Sequence, residues 1–392
     1  MMRPWRTWLL LLLVGCGEGV TGGPDDEDAS EVLESLESAG IIPPALRSEG
    51  DSIIGVGIRV MDSLRLAPRS DDLGYWWAGY VEAAIERLVV YHRRGLLDRV
   101  RTANLIDQIA VTLEFVRGSV LPRGEQYYPV RTPHLTWVFY GGLGIFFQPV
   151  TSIERIAGIP LVDPAVATDS LAAAGEALWA RAVWHSGSLG PFPVWEYDFS
   201  WRSNYLDLRA PWRSGMAQGE ALKLYSELYH RTGSSLWRDR ARAVFQSMMT
   251  PWGEGGMLSP DTTHGYWWDE YDPAAMVWNG SMVALIGVGL YADATGDPDA
   301  QRAWVRGLDA ARYWTQYIDD GKWTRYSLLA GYVIPPYHAW HIQIAEALFQ
   351  LTGDPVWSEY AARWKSYAVP PQFDRAAIGP NAGEAPGDLP LD

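Results

Sequence analysis

Three stretches of the chain share one pattern: residues 222–245 (LKLYSELYHRTGSSLWRDRARAVF), residues 284–314 (ALIGVGLYADATGDPDAQRAWVRGLDAARYW) and residues 344–367 (IAEALFQLTGDPVWSEYAARWKSY). In each, an amphipathic run ends at Thr-Gly and a second amphipathic run follows, as in two helices joined by a short turn. Glycine suits the left-handed residue that ends a helix, and the Asp-Pro of two copies suits the start of the next helix. The pattern therefore predicts a series of helical hairpins.

The rest of the chain extends this series. Residues 80–117 form a similar pair with a break at RRGLLD, and residues 165–185 form an Ala-rich helical run. Stacked hairpins of this length close into an α/α toroid or extend as a solenoid. The predicted fold is mainly α, an α/α toroid of helical hairpins with short antiparallel β insertions at one mouth.

Three aromatic and charged stretches separate the hairpins: residues 192–212, 256–273 and 321–337. In the first, Trp195, Tyr197, Phe199 and Trp201 alternate with polar residues, which is the two-residue period of a strand with one packed face. In a toroid such insertions line one mouth of the barrel. We therefore expect the substrate groove there.

The first residues, MMRPWRTWLLLLLVGCG, join two arginines, a short apolar run and small residues before Cys16. This order is typical of a secretory signal, and LVGC resembles the bacterial lipobox, in which the cysteine after the cut receives lipid. Because Cys16 is the only cysteine, neither an intramolecular disulfide nor a thiolate cluster can form. The alternative is an incidental thiol in an uncleaved segment.

The predicted organisation follows from these features. It comprises a lipoprotein signal peptide over 1–16, an acidic Gly-rich tether over 17–50, the toroid over 51–368 and a Pro/Gly-rich tail over 369–392. The expected location is that of a secreted bacterial lipoprotein, held by its lipid on the periplasmic or cell-surface side of a membrane.

A net charge of −15, from 32 basic and 47 acidic residues, argues against nucleic acid as a partner. The chain has 21 tryptophans, whose faces stack on sugar rings or pack between helices. It lacks a phosphate-binding Gly loop, a Cys pair and an HExxH helix. The chemistry is left to carboxylates, tyrosines and histidines, and we expect neither a cofactor nor a metal.

The stretch HGYWWDEYDP, residues 264–273, places a carboxylate among aromatic side chains. As a strand it would put Tyr266, Trp268 and Glu270 on one face. A glutamate in such surroundings has a raised pKa and suits general acid/base catalysis. The alternative is a solvated acidic turn before Asp272-Pro273.

The stretch YHAWH, residues 337–341, follows two prolines and begins a helix. Tyr337 and His341 are four residues apart and share a helix face. The positive end of the helix dipole favours a phenolate, which makes Tyr337 a plausible base. A zinc pair of His338 and His341 would need a third ligand; the alternative is a pair of helix-start or core histidines.

Several of these stretches together resemble the C-terminal domain of the D-glucuronyl C5-epimerase family. The carriers of the resemblance are WRSGMAQGEALKLYSELYHRTG, then DEYDPAAMVWNGSMVALIGVGLYADATGD, then RYSLL and PPYHAWHIQIAEALFQLTGDPVWSEYAARWKSY. The resemblance covers about 127–367 and is strongest from Pro211 onward. It implies an α/α toroid and an enzyme that inverts carbon 5 of a uronic acid within a polysaccharide, converting glucuronate to iduronate in heparan-type chains.

The resemblance also implies the catalytic residues. The family's active-site Glu-Tyr pair falls on Glu270 and Tyr271, and its other two tyrosines fall on Tyr326 and Tyr337. Inversion needs a proton acceptor on one face of the sugar and a donor on the other, with charge stabilisation at the carboxylate. Our interpretation makes Glu270 and Tyr337 the opposed acid/base pair, while Tyr271 and Tyr326 hold the intermediate.

The candidate substrate-binding residues are His338, His341, Asn279, Gln218 and Arg325. Asn279 matches the Asn-Gly of the family, although a helix cap is an alternative. The chain departs from the family at Leu329, where an arginine would be expected to hold the substrate carboxylate. The expected partners are an acidic polysaccharide, the membrane through the lipid anchor, and a second copy of the chain in a homodimer.

Three other functions stay open on the sequence alone. A lyase removes the same proton but expels the oxygen on carbon 4. A glycoside hydrolase would pair Glu270 with another carboxylate such as Asp198 or Asp261. A glycan-binding surface lipoprotein would keep the groove without catalysis, as the departure at Leu329 suggests.

Overall fold

The computed structural model describes residues 28–66, 73–118, 127–202, 206–269, 271–370 and 372. The predicted signal peptide with Cys16, the catalytic candidate Glu270 and nearly all of the predicted tail lie outside these residues. Within these ranges, no helix has both the length and the apolar character of a membrane span.

The described residues are mainly helical, with three small antiparallel sheets. The helices are α1 (Ala29–Ser38), α2 (Pro44–Leu66), α3 (Leu73–Arg93), α4 (Arg99–Gly118), α5 (Pro149–Ala157), α6 (Thr168–Trp179), α7 (Gly215–Thr232), α8 (Ser235–Met249), α9 (Trp278–Thr295), α10 (Pro298–Ile318), α11 (Pro335–Thr352) and α12 (Pro355–Lys365). The strands are β1 (Tyr127–Arg131), β2 (Thr136–Tyr140), β3 (Gly144–Phe147), β4 (Val183–Gly187), β5 (Gly190–Val194), β6 (Trp201–Arg202) and β7 (Asp207–Leu208), paired β1-β2-β3, β4-β5 and β6-β7.

The three Thr-Gly turns end helices as the sequence predicts. Gly233, Gly296 and Gly353 cap α7, α9 and α11 in the left-handed conformation, with φ of 64°, 65° and 65°. Asp297 caps the start of α10 by accepting from two backbone N–H groups, and Asp354 does the same at α12 with one. The predicted hairpins α7-α8, α9-α10 and α11-α12 are confirmed.

The hairpins stand side by side in an arc. Helix α7 packs on α9 and α9 on α11, and each has its own partner, α8, α10 or α12, behind it. Helices α7 and α9 touch backbone to backbone, because a Cβ on Gly287 would lie 2.3 Å from the carbonyl oxygen of Gly219. Helices α5 and α6 extend the arc beside α7. The main contacts among the described residues join neighbouring helices along this arc. None of these contacts closes the arc into the predicted toroid.

Helices α1 to α4 form a bundle with its own core, centred on Val32, Leu33, Val81 and Ile109. From Asp28 onward the structure differs from the predicted tether over 17–50. Asp28 begins α1 with a capping box, and apolar residues of α1 fill the bundle core. Within α1, Glu31 and Glu34 lie on the exposed face of the helix.

The predicted helix over 165–185 is wrong at its end. Helix α6 stops at Trp179, and His185 lies in β4, which pairs with β5 through a tight turn whose Gly190 has φ of 102°. The alternation after β5 is confirmed in its burial, because Tyr197 and Phe199 are buried in the main core while Glu196 and Asp198 face the other way. The stretches 264–269 and 321–334 contain isolated bridges instead of strands.

Candidate active site

Three tyrosines from separate parts of the chain meet at one end of the arc. The hydroxyl groups of Tyr271 and Tyr326 lie 3.1 Å apart in a hydrogen bond. The ring of Tyr337 meets that of Tyr326 edge to face, with centroids 5.9 Å apart. All three side chains are buried. We call these three residues the tyrosine cluster.

The starts of the three inner helices position this cluster. The backbone N–H of Gly215, at the start of α7, donates to the carbonyl of Asp269, two residues before Tyr271. The N–H of Trp278, at the start of α9, donates to the carbonyl of Tyr326. Tyr337 itself lies in the first turn of α11. Each helix therefore directs the positive end of its dipole toward the cluster.

Aromatic residues enclose the cluster on two sides. Trp212 meets Tyr271 edge to face at 5.5 Å and stacks on Tyr197 at 3.9 Å with parallel rings. On the other side Trp340 meets Tyr337 edge to face at 5.6 Å. Indole and phenol rings therefore enclose the cluster on these two sides and exclude water from it.

Tyr326 lies in a tight hairpin rather than in a long strand. Its N–H donates to the carbonyl of Gly331, and Arg325 forms an antiparallel bridge with Tyr332. Leu329 lies in the turn of this hairpin and is 58% exposed. Because the chain reverses between Arg325 and Tyr332, Leu329 does not continue a strand that begins at Arg325.

Comparison with known proteins identifies the segment that carries this site. Residues 190–366 match the D-glucuronyl C5-epimerase C-terminus family. The resemblance is thereby confirmed for the epimerase segment, as we call these residues, and the whole tyrosine cluster lies inside it.

A curated relative is the uncharacterized protein MJ1128 of Methanocaldococcus jannaschii, which is 26% identical over 179 residues. The matched part is 44% of this chain and 58% of that protein. The chain therefore spans just over half the length of this relative.

Within the epimerase segment, His338 is a packing residue. Its Nε2 lies 3.0 Å from the carbonyl of Trp364 and so carries the proton, while Nδ1 accepts from the hydroxyl of Thr324 at 2.8 Å. Its ring stacks on Trp323 at 3.6 Å. Burial lowers the pKa of His338, which keeps the ring neutral. Neither nitrogen is left to bind a substrate in this arrangement.

His341 is buried between Trp278 and Trp364, at ring distances of 4.8 Å and 6.3 Å. Neither ring nitrogen has a hydrogen-bond partner among the described residues. Burial lowers the pKa of His341 well below its usual range. Across the described part of the chain, no group of three His, Cys, Asp or Glu side chains is placed to hold a metal ion.

The two amide candidates differ in their surroundings. Gln218 is buried and donates from Nε2 to the carbonyl of Pro193 and to the hydroxyl of Ser247, so it ties α7 to β5 and α8. Asn279 is the second residue of α9, whose N-cap is Val277, so it is not the cap. Its Oδ1 is buried and has no partner among the described residues.

Asp269 is a buried carboxylate that sequence reasoning missed. Burial raises its pKa to about 7, against smaller lowering contributions from Ser259 and Trp267. Neither neighbour completes a hydrogen bond in good geometry, and both carboxylate oxygens lack a partner among the described residues. Its place two residues before Tyr271, on the same face of an extended chain, was the available signal.

Glu196 and Asp198 form a second group of charged side chains, which joins the bundle to the arc. Arg101 of α4 binds Glu196 through two bonds of 2.8 Å, and His185 lies 2.8 Å from the same carboxylate. The Tyr91 hydroxyl of α3 donates to Asp198 at 2.9 Å. Burial raises the pKa of Asp198 to about 6.

The hydrolase candidates are not placed together with the tyrosine cluster. Asp198 faces α3 and α4, whereas its neighbour Tyr197 faces Trp212 and the cluster. Asp261 lies in an exposed turn, where it accepts from the N–H of Thr263 at 3.0 Å.

Proposed function

We propose that this protein is a polysaccharide uronyl 5-epimerase, which inverts carbon 5 of glucuronate residues to iduronate in a heparosan-like polymer. One observation carries the proposal: Tyr271, Tyr326 and Tyr337, distant in sequence, meet in one buried cluster inside the epimerase segment. The match to the epimerase family supports an epimerase-like activity. The polymer and the roles of the residues are our proposal.

The proposed reaction exchanges one proton for another. Tyr337, as the phenolate, takes the hydrogen from carbon 5, and the electron pair moves into the adjacent carboxylate to give an enolate. Glu270 then returns a proton to the opposite face of carbon 5, and the electron pair moves back. No bond to the ring oxygen or to carbon 4 is broken, so substrate and product have the same composition.

The environment of the cluster suits this enolate. The hydrogen-bonded pair Tyr271 and Tyr326 offers hydroxyl groups to the developing negative charge. The starts of α7, α9 and α11 add the positive ends of three helix dipoles. Burial increases the strength of each interaction because little water screens it.

An exchange experiment tests the proposal and separates its rivals. The protein is incubated with heparosan and other glucuronate polymers in deuterated water, and carbon 5 is followed by proton NMR. Deuterium gain with iduronate signals supports the epimerase. Unsaturated ends would identify a lyase, and new reducing ends without unsaturation a hydrolase. A polymer that binds but stays unchanged would leave only a glycan-binding protein.

Replacement of Tyr337 by phenylalanine tests the assigned base. The change removes one hydroxyl, so we expect exchange to fall at least about a hundredfold while the fold persists. Tyr225→Phe is the matched control, since Tyr225 is equally buried on α7 and its hydroxyl donates to the Gly175 carbonyl, away from the cluster. Equal exchange rates in wild type and Tyr337→Phe would refute the role of Tyr337.

We also propose that the protein is a membrane-anchored lipoprotein with the lipid on Cys16, supported by the apolar run and small residues before this cysteine. Labelled fatty acid should enter the wild-type protein but not Cys16→Ser in a bacterial host. Label in both proteins would contradict the assignment.

A further inference from the structure

A group of aromatic side chains reaches the surface near the C-terminal end of α10. The rings of Tyr313, Trp314 and Tyr317 contact one another, with centroids 4.8 to 5.8 Å apart. The ring of His264 stacks on that of Tyr313 at 3.4 Å, with the two planes 9° apart. Tyr317 is 49% exposed and the other three side chains are partly buried. We call these four residues the aromatic patch.

The loop that carries His264 is fixed to α10 by its backbone. The N–H of Tyr266 donates to the carbonyl of Arg306 at 3.0 Å, and the guanidinium of Arg306 donates back to the carbonyl of Thr262 at 3.0 Å. Gly265 between them has φ of 124°, and a Cβ there would lie 2.1 Å from the same Arg306 carbonyl oxygen. The stacked rings are therefore held in place before any ligand arrives, so binding costs little ordering of the loop.

The aromatic patch lies at the same end of the arc as the tyrosine cluster. The indole N–H of Trp278, the first residue of α9, donates to the hydroxyl of Thr315 at 2.8 Å, which joins the start of α9 to the last part of α10. Trp267, four residues before Tyr271, meets Trp314 edge to face at 6.5 Å. A surface of the protein therefore continues from the proposed site to the patch through two direct contacts.

The size and the border of the aromatic patch fit a sugar chain. Asp309, Arg312 and Gln316 of α10 and Asp261 of the loop lie exposed around it. Four partly covered rings expose at most roughly 400 Å², whereas each partner in a stable protein–protein interface buries about 800 Å². The patch is therefore too small for a second copy of the chain. One or two pyranose rings match it, because their C–H faces stack on aromatic rings while their hydroxyl groups meet the polar border.

We propose that the aromatic patch is a second binding surface for the polysaccharide, which holds sugar units outside the one whose carbon 5 reacts. The ligand class is a run of pyranose rings, charged or neutral, because stacking uses the C–H face of the sugar and not its carboxylate. Tyr317, the most exposed ring of the patch, takes the principal sugar, and His264 keeps Tyr313 in place beside it. This inference rests on the proposed epimerase function.

Calorimetry with heparosan fragments of increasing length tests the inference. In the wild type, the affinity should rise in a step at the length at which one fragment reaches both the tyrosine cluster and the aromatic patch. Tyr317→Ala should remove this step and bind the full polymer roughly three- to tenfold more weakly, while its affinity for the shortest fragments matches that of the wild type. Its affinity for the polymer with carboxyl groups reduced to alcohols should fall by the same factor.

Two variants of α10 serve as controls. Tyr317→Phe keeps the ring and should bind the full polymer within about twofold of the wild type. Val305→Ala removes an exposed apolar side chain about three helical turns before Tyr317 and should leave polymer binding unchanged. Because Tyr317 is half exposed, Tyr317→Ala should fold like the wild type, which circular dichroism checks.

The outcomes separate this inference from the proposed function. If Tyr317→Ala binds the full polymer as the wild type does, or weakens short and long fragments equally, the second surface is refuted while the epimerase function stands. A wild-type dimer that Tyr317→Ala converts to monomers in analytical ultracentrifugation would assign the patch to a second copy of the chain and overturn the proposal. If the wild type neither binds nor converts any uronate polymer, the proposed function itself fails.

Discussion

The hydrogen bond between the hydroxyls of Tyr271 and Tyr326 couples two residues of the proposed site. Tyr271→Phe and Tyr326→Phe should each slow carbon 5 exchange by roughly a hundredfold, because either change removes one stabilising hydroxyl and the hydrogen bond that helps to position the other. The double variant should be hardly slower than either single one, since the two hydroxyls act as a unit. Exchange rates of all four proteins in deuterated water measure this coupling. Effects that multiply would show that the hydroxyls act independently.

His341 gives a prediction for stability against pH. Burial lowers its pKa well below the usual value, so the unfolded chain takes up the proton first as the pH falls. Its contribution to stability is therefore complete above about pH 6.5 and is lost at lower pH. Between about pH 6.5 and about pH 5, the free energy of unfolding of His341→Leu should fall less steeply than that of the wild type. At neutral pH it should be higher than that of the wild type by roughly 1 kcal/mol, because two unpaired nitrogens are removed. Urea titrations at several pH values measure both effects, and an unchanged slope would contradict them.

The sequence predicted which tyrosines belong to the site, but it did not predict the hydrogen-bonding state of the residues around them. Tyr271, Tyr326 and Tyr337 are found by their motifs, and the fold brings them into contact. The unpaired state of Trp340 and of Asp269 depends on what other segments place around them, which no local pattern contains. His338 looked like a ligand because its acceptor, the carbonyl of Trp364, comes from another helix.

The contact between α7 and α9 is the element on which the site depends, because both helices begin at the tyrosine cluster. A Cβ on Gly219 would lie 2.4 Å from the Cα of Ala284, a backbone atom that cannot move aside. Gly219→Ala should therefore lower the free energy of unfolding by about 3 kcal/mol or more and reduce exchange by displacing the start of α9. Thermal and urea unfolding measure the first effect.

Gly296→Ala is the matched control for this contact. Gly296 ends α9 at φ of 65° with open space around it, so alanine costs only backbone strain of about 1 kcal/mol. Exchange should be unaffected, because the change lies at the far end of α9. Equal destabilisation by the two substitutions would show that the helix contact is not tight.

Helices whose ends are marked by local sequence signals could be predicted, whereas helices whose ends depend on tertiary contacts could not. Left-handed glycines and Asp-Pro caps act within a few residues, so the hairpins could be located in the sequence. Helix α6 ends at Trp179 because Val183 to Gly187 pair with the next strand, a tertiary contact that overrides the helical run of alanines. The apolar face of α1 is short and alternates with acidic residues, so the sequence pattern did not indicate a helix there.

Asp198 tests the junction between the bundle and the arc. Its pKa rises from 3.8 to about 6, so between these values the folded protein holds a proton that the unfolded chain has released. Wild-type stability should therefore fall as the pH rises from about 4 to about 6.

Asp198→Asn cannot ionise and still accepts from Tyr91. It should gain stability relative to wild type over this window, by at most roughly 3 kcal/mol. A difference that does not change with pH would contradict the buried carboxylate, and retained exchange would place Asp198 outside the chemistry.

The charge of the whole molecule predicts how salt affects substrate binding. The protein carries a net charge of −15, and a uronate polymer is a polyanion, so the two repel each other at long range. Added salt screens this long-range repulsion. The affinity for heparosan should then rise roughly two- to fivefold between about 0.02 M and about 0.2 M salt, whereas binding of the carboxyl-reduced polymer should hardly change. An arginine-lined groove would show the opposite slope, because salt competes with direct ion pairs. Calorimetry across this range, with Leu329→Arg for comparison, measures the slope. Affinity that falls with salt in the wild type would show that direct ion pairs outweigh the long-range repulsion.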